Sequence, residues 1–185
     1  MSCGSTKSRR DTARLLGRFA KRHDGNVIVE FALVAPILLV MIINILDFSL
    51  LIWARMQVDY SAQMGAKAAY KECTTGSQLP AKSLCPNLNA KVTSAIQSTS
   101  LGTGVTLATG FPSETYYCVS GSTLQSVGSY SSPPSPFNCS AAGSASTTPG
   151  DYIEVDVTYS YGPTFAGLSL ASAQTLTGKS MQRLN

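Results

Sequence analysis

The residues able to do chemistry in this 185-residue chain are few, and their placement narrows what that chemistry can be. Glu30 stands just inside a run of apolar residues, where a carboxylate is costly unless headgroups or a cationic partner are within reach. The sole histidine, His23, comes before that run, so nothing after it can build a Ser–His–Asp triad, a Cys–His pair or a His metal site. The later carboxylates, Asp59, Glu72, Glu114, Asp151, Glu154 and Asp156, are scattered. Glu154 and Asp156 would share one face of a strand, and we read that face as solvated. No Gly-rich phosphate loop occurs, and the cysteines lack the tight spacing of a zinc site. These observations argue against an enzyme and imply no cofactor and no metal.

Cysteine is the one reactive residue type with a pattern. Cys3 precedes the apolar run, and Cys73, Cys85, Cys118 and Cys139 follow it. An even number in an exported segment reads as two disulfides. Four cysteines allow three pairings, of which the shortest loops favour Cys73–Cys85 with Cys118–Cys139.

The element that separates these groups is the apolar run itself. From Phe31 to Trp53 the only strongly polar residues are Asn44, Asp47 and Ser49. At ~1.5 Å per residue this stretch crosses a hydrocarbon core of ~30 Å. Lys7, Arg9, Arg10, Arg14, Arg18, Lys21 and Arg22 crowd the chain before it, against only Asp11 and Asp24. After Arg55 the charges nearly balance. A basic flank is the mark of the cytoplasmic side, so a single-pass topology with the N-terminus inside is expected. A cleaved secretory signal fits less well, because the cationic leader is long and the apolar run exceeds ~15 residues. No folded basic domain follows the leader, so a nucleic-acid partner is not expected. The division is a basic leader over 1–25, a transmembrane helix over 26–54, and an exported domain over 55–185.

Helical character should continue to about Lys71, with Val58, Ala62, Ala66 and Tyr70 forming a stripe that packs on the domain's own sheet. Gly65 is tolerable within it. The segment "TTGSQLPAKSLCPN" reads as a loop, and a short helix follows over 88–98. Strands are expected at 105–109 and 115–120, separated by a turn near Gly110–Pro112. Residues 121–150, rich in Ser, Gly and Pro, read as a flexible surface loop. In "DYIEVDVTYSY", Ile153, Val155, Val157, Tyr159 and Tyr161 alternate with polar residues, which predicts a strand with one buried and one wet face. "GPTFAGLSLASAQ" is mixed, with a helical turn expected, and "TLTGKSMQR" reads as a final edge strand. The fold class is α+β: a long N-terminal helix followed by a small antiparallel-sheet domain.

"GNVIVEFALVAP" resembles a type IV prepilin processing site. The run looks most like the TadE-like pseudopilins of the tight-adherence (Tad/Flp) pilus system. The resemblance makes Gly25 the last leader residue and Asn26 the first mature one, with Glu30 fifth and Phe31 sixth. It also covers Pro36 in the helix and the acidic–aromatic pair Asp47–Phe48. Ser49 stands where the family commonly has Gly, and Phe31 is the TadE-like choice where Flp pilins usually carry Tyr. The similarity is strong from Gly25 to Trp53 and extends beyond that in layout only. It implies a pilus-assembly subunit of the bacterial inner membrane with a periplasmic domain. The partners it implies are a prepilin peptidase, other Tad/Flp pilins and pseudopilins, the inner-membrane Tad secretion platform and membrane lipids. The alternative is an uncleaved, membrane-anchored periplasmic adapter or binding domain.

Overall fold

The structure, a computed structural model, describes residues 24–73 and 80–184, with side chains from Val27 onward. The basic leader before Asp24, with Cys3 and His23, lies outside the described residues.

A single helix, α1 (Asp24–Glu72, 49 residues), runs from the apolar segment into the domain. At ~1.5 Å per residue it is roughly 70 Å long. Pro36 lies inside it without ending it. Proline withdraws one N–H from the ladder, a loss that membrane helices tolerate. The two halves of α1 differ in what surrounds them. Between Val27 and Trp53 most large apolar side chains are bare, Leu33 for example at 71% exposure. That surface far exceeds the few hundred Å² of contiguous apolar patch a water-soluble monomer usually shows. From Ala54 onward one face is buried.

The buried face runs through Ala54, Val58, Ala62, Ala66, Ala69 and Cys73. Tyr70, expected on the stripe, is exposed, and Ala69 takes its place. The reason is helical drift: a step of four residues overshoots a 3.6-residue turn, so a strict i+4 row rotates off the contact and must be corrected by a step of three.

The domain adds α2 (Ala81–Leu84) and α3 (Leu88–Ile96), the former a single helical turn inside the stretch read as loop. Five strands form one antiparallel sheet: β1 (Val105–Leu107), β2 (Ser113–Ser120), β3 (Thr123–Ser129), β4 (Gly150–Tyr161) and β5 (Gln174–Arg183). β5 covers the whole of one edge of β4. The other edge is shared, β1 pairing near Tyr159 and β2 near Asp151, with β3 outside β2. The sheet packs under α1 and α3, and Val58, Ala62, Ala66, Val92, Ile96, Ile153, Val155, Val157 and Leu176 form the core between them.

Further expectations change. The region 121–150 is not wholly loop, because Thr123–Ser129 folds back on β2 as a hairpin with Gly121 at φ +62° in the turn. This strand buries little and is held by its ladder, so its composition hides it. "GPTFAGLSLASAQ" forms no regular helix, only a single hydrogen-bonded turn at 164–168 closed on the Phe165 carbonyl. Glu154, expected on a wet face, is only 7% exposed. β4 is flanked on both edges, and its neighbours' long side chains close over Glu154: it pairs with Lys179 of β5, and Tyr117 of β2 reaches toward it.

Candidate functional site

The resemblance-marked residues are strung along the exposed half of α1. Gly25 and Asn26 lie in its first turn, the Asn26 side chain outside the described set. Glu30 is exposed one turn after Asn26, and Phe31 beside it is exposed as well. Asp47 lies seventeen residues beyond Glu30, about 25 Å along the axis, so the helix separates the two acidic positions rather than joining them.

Asp47 is fully buried, while its neighbour Phe48 points outward and is exposed. The burial comes from the segment that joins β4 to β5. The Thr164 N–H donates to Asp47 Oδ1 at 3.2 Å, and the Tyr161 hydroxyl donates to the Asp47 carbonyl oxygen at 2.9 Å. Burial first, and the Asp47 carboxylate second, push the Tyr161 hydroxyl above its ordinary range. One turn earlier, Asn44 grips the same segment. Its Oδ1 accepts the Leu170 N–H at 2.7 Å, and its Nδ2 donates to the Leu168 carbonyl at 3.2 Å and to the Val40 carbonyl at 2.8 Å. Asn44 and Asp47 therefore form a clasp on one helix face. Ser49, the third polar residue, bonds back to the Ile45 carbonyl at 2.7 Å.

A second polar cluster sits inside the domain. Glu114, opposite Ile153 in the register, and Asp151, opposite Tyr116, both fall on the helix-facing side of the sheet. Glu114 accepts the N–H groups of Ala81 at 2.9 Å and Lys82 at 3.0 Å, satisfying the start of α2. Asp151 is pushed up to about 7 by burial, then by its hydrogen bond to Glu114 and by that group's charge. The two carboxyls are 2% and 4% exposed, so both are largely sealed from solvent. Their work is to hold α2 against the sheet.

α2 in turn positions Cys85 against Cys73 at the end of α1, with a Cα–Cα distance of 6.1 Å. Cys118 of β2 meets Cys139 at 5.7 Å. Both separations suit a disulfide. The second closes a 21-residue separation, worth about 3 kcal/mol on the loop-entropy argument. Among the described residues no cluster of three His, Cys, Asp or Glu side chains could hold a metal ion.

In the sequence Asn44 and Asp47 stand out as polar exceptions, with no common partner evident. The signal was present: an i, i+3 pair of polar side chains in an apolar run faces one way and needs hydrogen-bonding groups there. It gave no sign of Glu114 and Asp151 as a buried pair, since their meeting depends on β2–β4 register.

Residues 25–67 match the family model described as TadE-like protein. No curated protein and no solved structure gives a match.

Proposed function

From the premise that residues 25–67 are a TadE-like segment, we propose that the chain is a minor pseudopilin of a Tad (Flp) secretion and pilus system. It acts by membrane insertion, cleavage and assembly, not by catalysis. The bare apolar half of α1 inserts in the bacterial inner membrane, with the basic flank inside and the disulfide-bearing domain in the periplasm. A prepilin peptidase cuts after Gly25 on the cytoplasmic side, where the missing Cβ lets the backbone enter a narrow site. The cut frees an α-ammonium on Asn26, with an ordinary pKa of about 7.7–8.0. Glu30, four residues on, pairs with that ammonium within the subunit or across to a neighbouring pilin. The other Tad pilins and the inner-membrane platform are its partners.

The observation that carries this reading is the unbroken α1, whose first half is naked apolar surface and whose second half is the core of the domain. A helix so divided lets membrane insertion and subunit packing use one rod. Co-expression with the cognate peptidase, followed by mass spectrometry, should find a mature chain beginning at Asn26. Gly25→Val should leave the precursor intact, because a β-branched side chain occupies the narrow site. An uncut N-terminus in cells making functional pili would falsify the processing step.

A further inference from the structure

The segment joining β4 to β5 hangs alongside the apolar half of α1. We propose that its tip, Phe165 to Leu170, dips into the bilayer leaflet on the domain's side, against lipid acyl chains, and that Asn44 and Asp47 hold it there. The proposal rests on the reading of that half of α1 as a membrane span.

Depth is the first argument. A hydrocarbon core of ~30 Å takes about 20 helical residues. Begun at Val27 it ends near Asp47, and begun at Glu30 it ends near Leu50. Asn44 is inside either limit, and Leu168 and Leu170 are hydrogen-bonded to it. The tip is therefore at a level where lipid, not water, surrounds the helix.

The composition of the segment points the same way. Leu170 is 86% exposed, and Phe165 and Leu168 are exposed beside it. Between Asp156 and Lys179 the chain carries no charged residue. A water-facing turn has no reason to avoid charge over that length while presenting three large apolar side chains.

The backbone hydrogen bonds of the tip agree. Irregular backbone at membrane depth is tolerated only where protein groups satisfy its N–H and C=O groups. Asn44 takes the Leu170 N–H and serves the Leu168 carbonyl, and Asp47 takes the Thr164 N–H. The N–H groups of Leu168 and Ser169 both close on the Phe165 carbonyl at 3.1 Å. These bonds serve the N–H groups of Thr164, Leu168, Ser169 and Leu170, which water would serve without help and acyl chains would not. A buried carboxylate and a half-buried amide on an apolar helix face are accounted for by this need.

The full-length protein supplies its own probe site, since Trp53 is the only tryptophan. With Trp53→Phe as background, Leu170→Trp reports the tip and Leu38→Trp reports the helix. Each is reconstituted in phosphatidylcholine–phosphatidylglycerol vesicles with brominated acyl chains. Both tryptophans should be quenched at least two-fold by bromine and protected from acrylamide. Adding Asn44→Leu should release the tip, cutting the quench at 170 and leaving that at 38 unchanged; a quench at 170 that survives would overturn the clasp. A quenched Leu38→Trp with an unquenched Leu170→Trp would overturn the insertion and leave the span standing. Acrylamide access then means a tip in water, and acrylamide protection means cover by a second copy. If neither tryptophan is quenched, the span fails and the insertion with it.

Discussion

Asp151 is a carboxyl on the inner side of a strand, and Glu114 beside it is already committed to two backbone N–H groups. Burial and that neighbour push Asp151 from 3.8 up to about 7. The unfolded chain releases the same proton near pH 4. Because the folded state holds it more tightly, the stabilising contribution is complete below about pH 4 and is lost as pH rises through about 7. Thermal unfolding should therefore shift to lower temperature between pH 5 and pH 8. Asp151→Asn keeps a donor toward Glu114 and removes the titration, so it should flatten that slope. At ~1.4 kcal/mol per pKa unit the effect is at most about 4 kcal/mol. Melting curves at the two pH values check it, and an unaltered slope in the variant would reject the shared proton. At this scale the sequence was only partly legible. Glu30 and Asp47 were recognisable from their apolar surroundings, whereas the burial of Glu154, Glu114 and Asp151 was not. Whether a carboxylate on a strand meets water depends on the strands beside it.

Among the elements, α1 approaches the sheet and α3 so closely that a Cβ at either of two glycines would crowd a neighbour. A Cβ at Gly178 of β5 would stand 2.7 Å from the Val58 carbonyl oxygen of α1. A Cβ at Gly65 of α1 would stand 2.8 Å from Ile96 Cγ2 and 3.0 Å from Val155 Cγ1. Side-chain ends can turn aside, and helix propensity favours Ala over Gly by about 1 kcal/mol, so Gly65→Ala should be nearly neutral or mildly destabilising. Helix backbone cannot yield so easily, and Gly178→Ala should cost about 2–3 kcal/mol. Chemical denaturation of the full chain in detergent ranks the two, and the reverse order would refute this packing. α1, α3, β4 and β5 were readable because period and length are local properties. β3 was not, because a Ser- and Gly-rich edge strand is held by its ladder and shows no apolar alternation. Tyr70 was misplaced on the stripe, and Ala69 missed, because an i+4 row drifts.

At the scale of the whole molecule, the exposed half of α1 carries no buried member of the domain's core, and only Leu51, near its end, packs against that core. Glu30→Gln should therefore leave the melting of the domain unchanged. It should still lower pilus yield and cross-linking to the major pilin, since the shape stays and the charge proposed to pair with the Asn26 ammonium is gone. Assembly equal to wild type would rule out the pairing role. What the sequence determined alone was the long helix, its division into apolar and amphipathic halves, the alternating strand β4 and the α+β class. Each depends on residues within a turn or a pleat of one another, and hydrophobic periodicity records that directly. Only the tertiary structure decided what Asn44 and Asp47 hold. Their partners Leu170 and Thr164 lie 126 and 117 residues away in the chain. The course of a loop across that distance follows from sheet register and packing, and no local pattern encodes it.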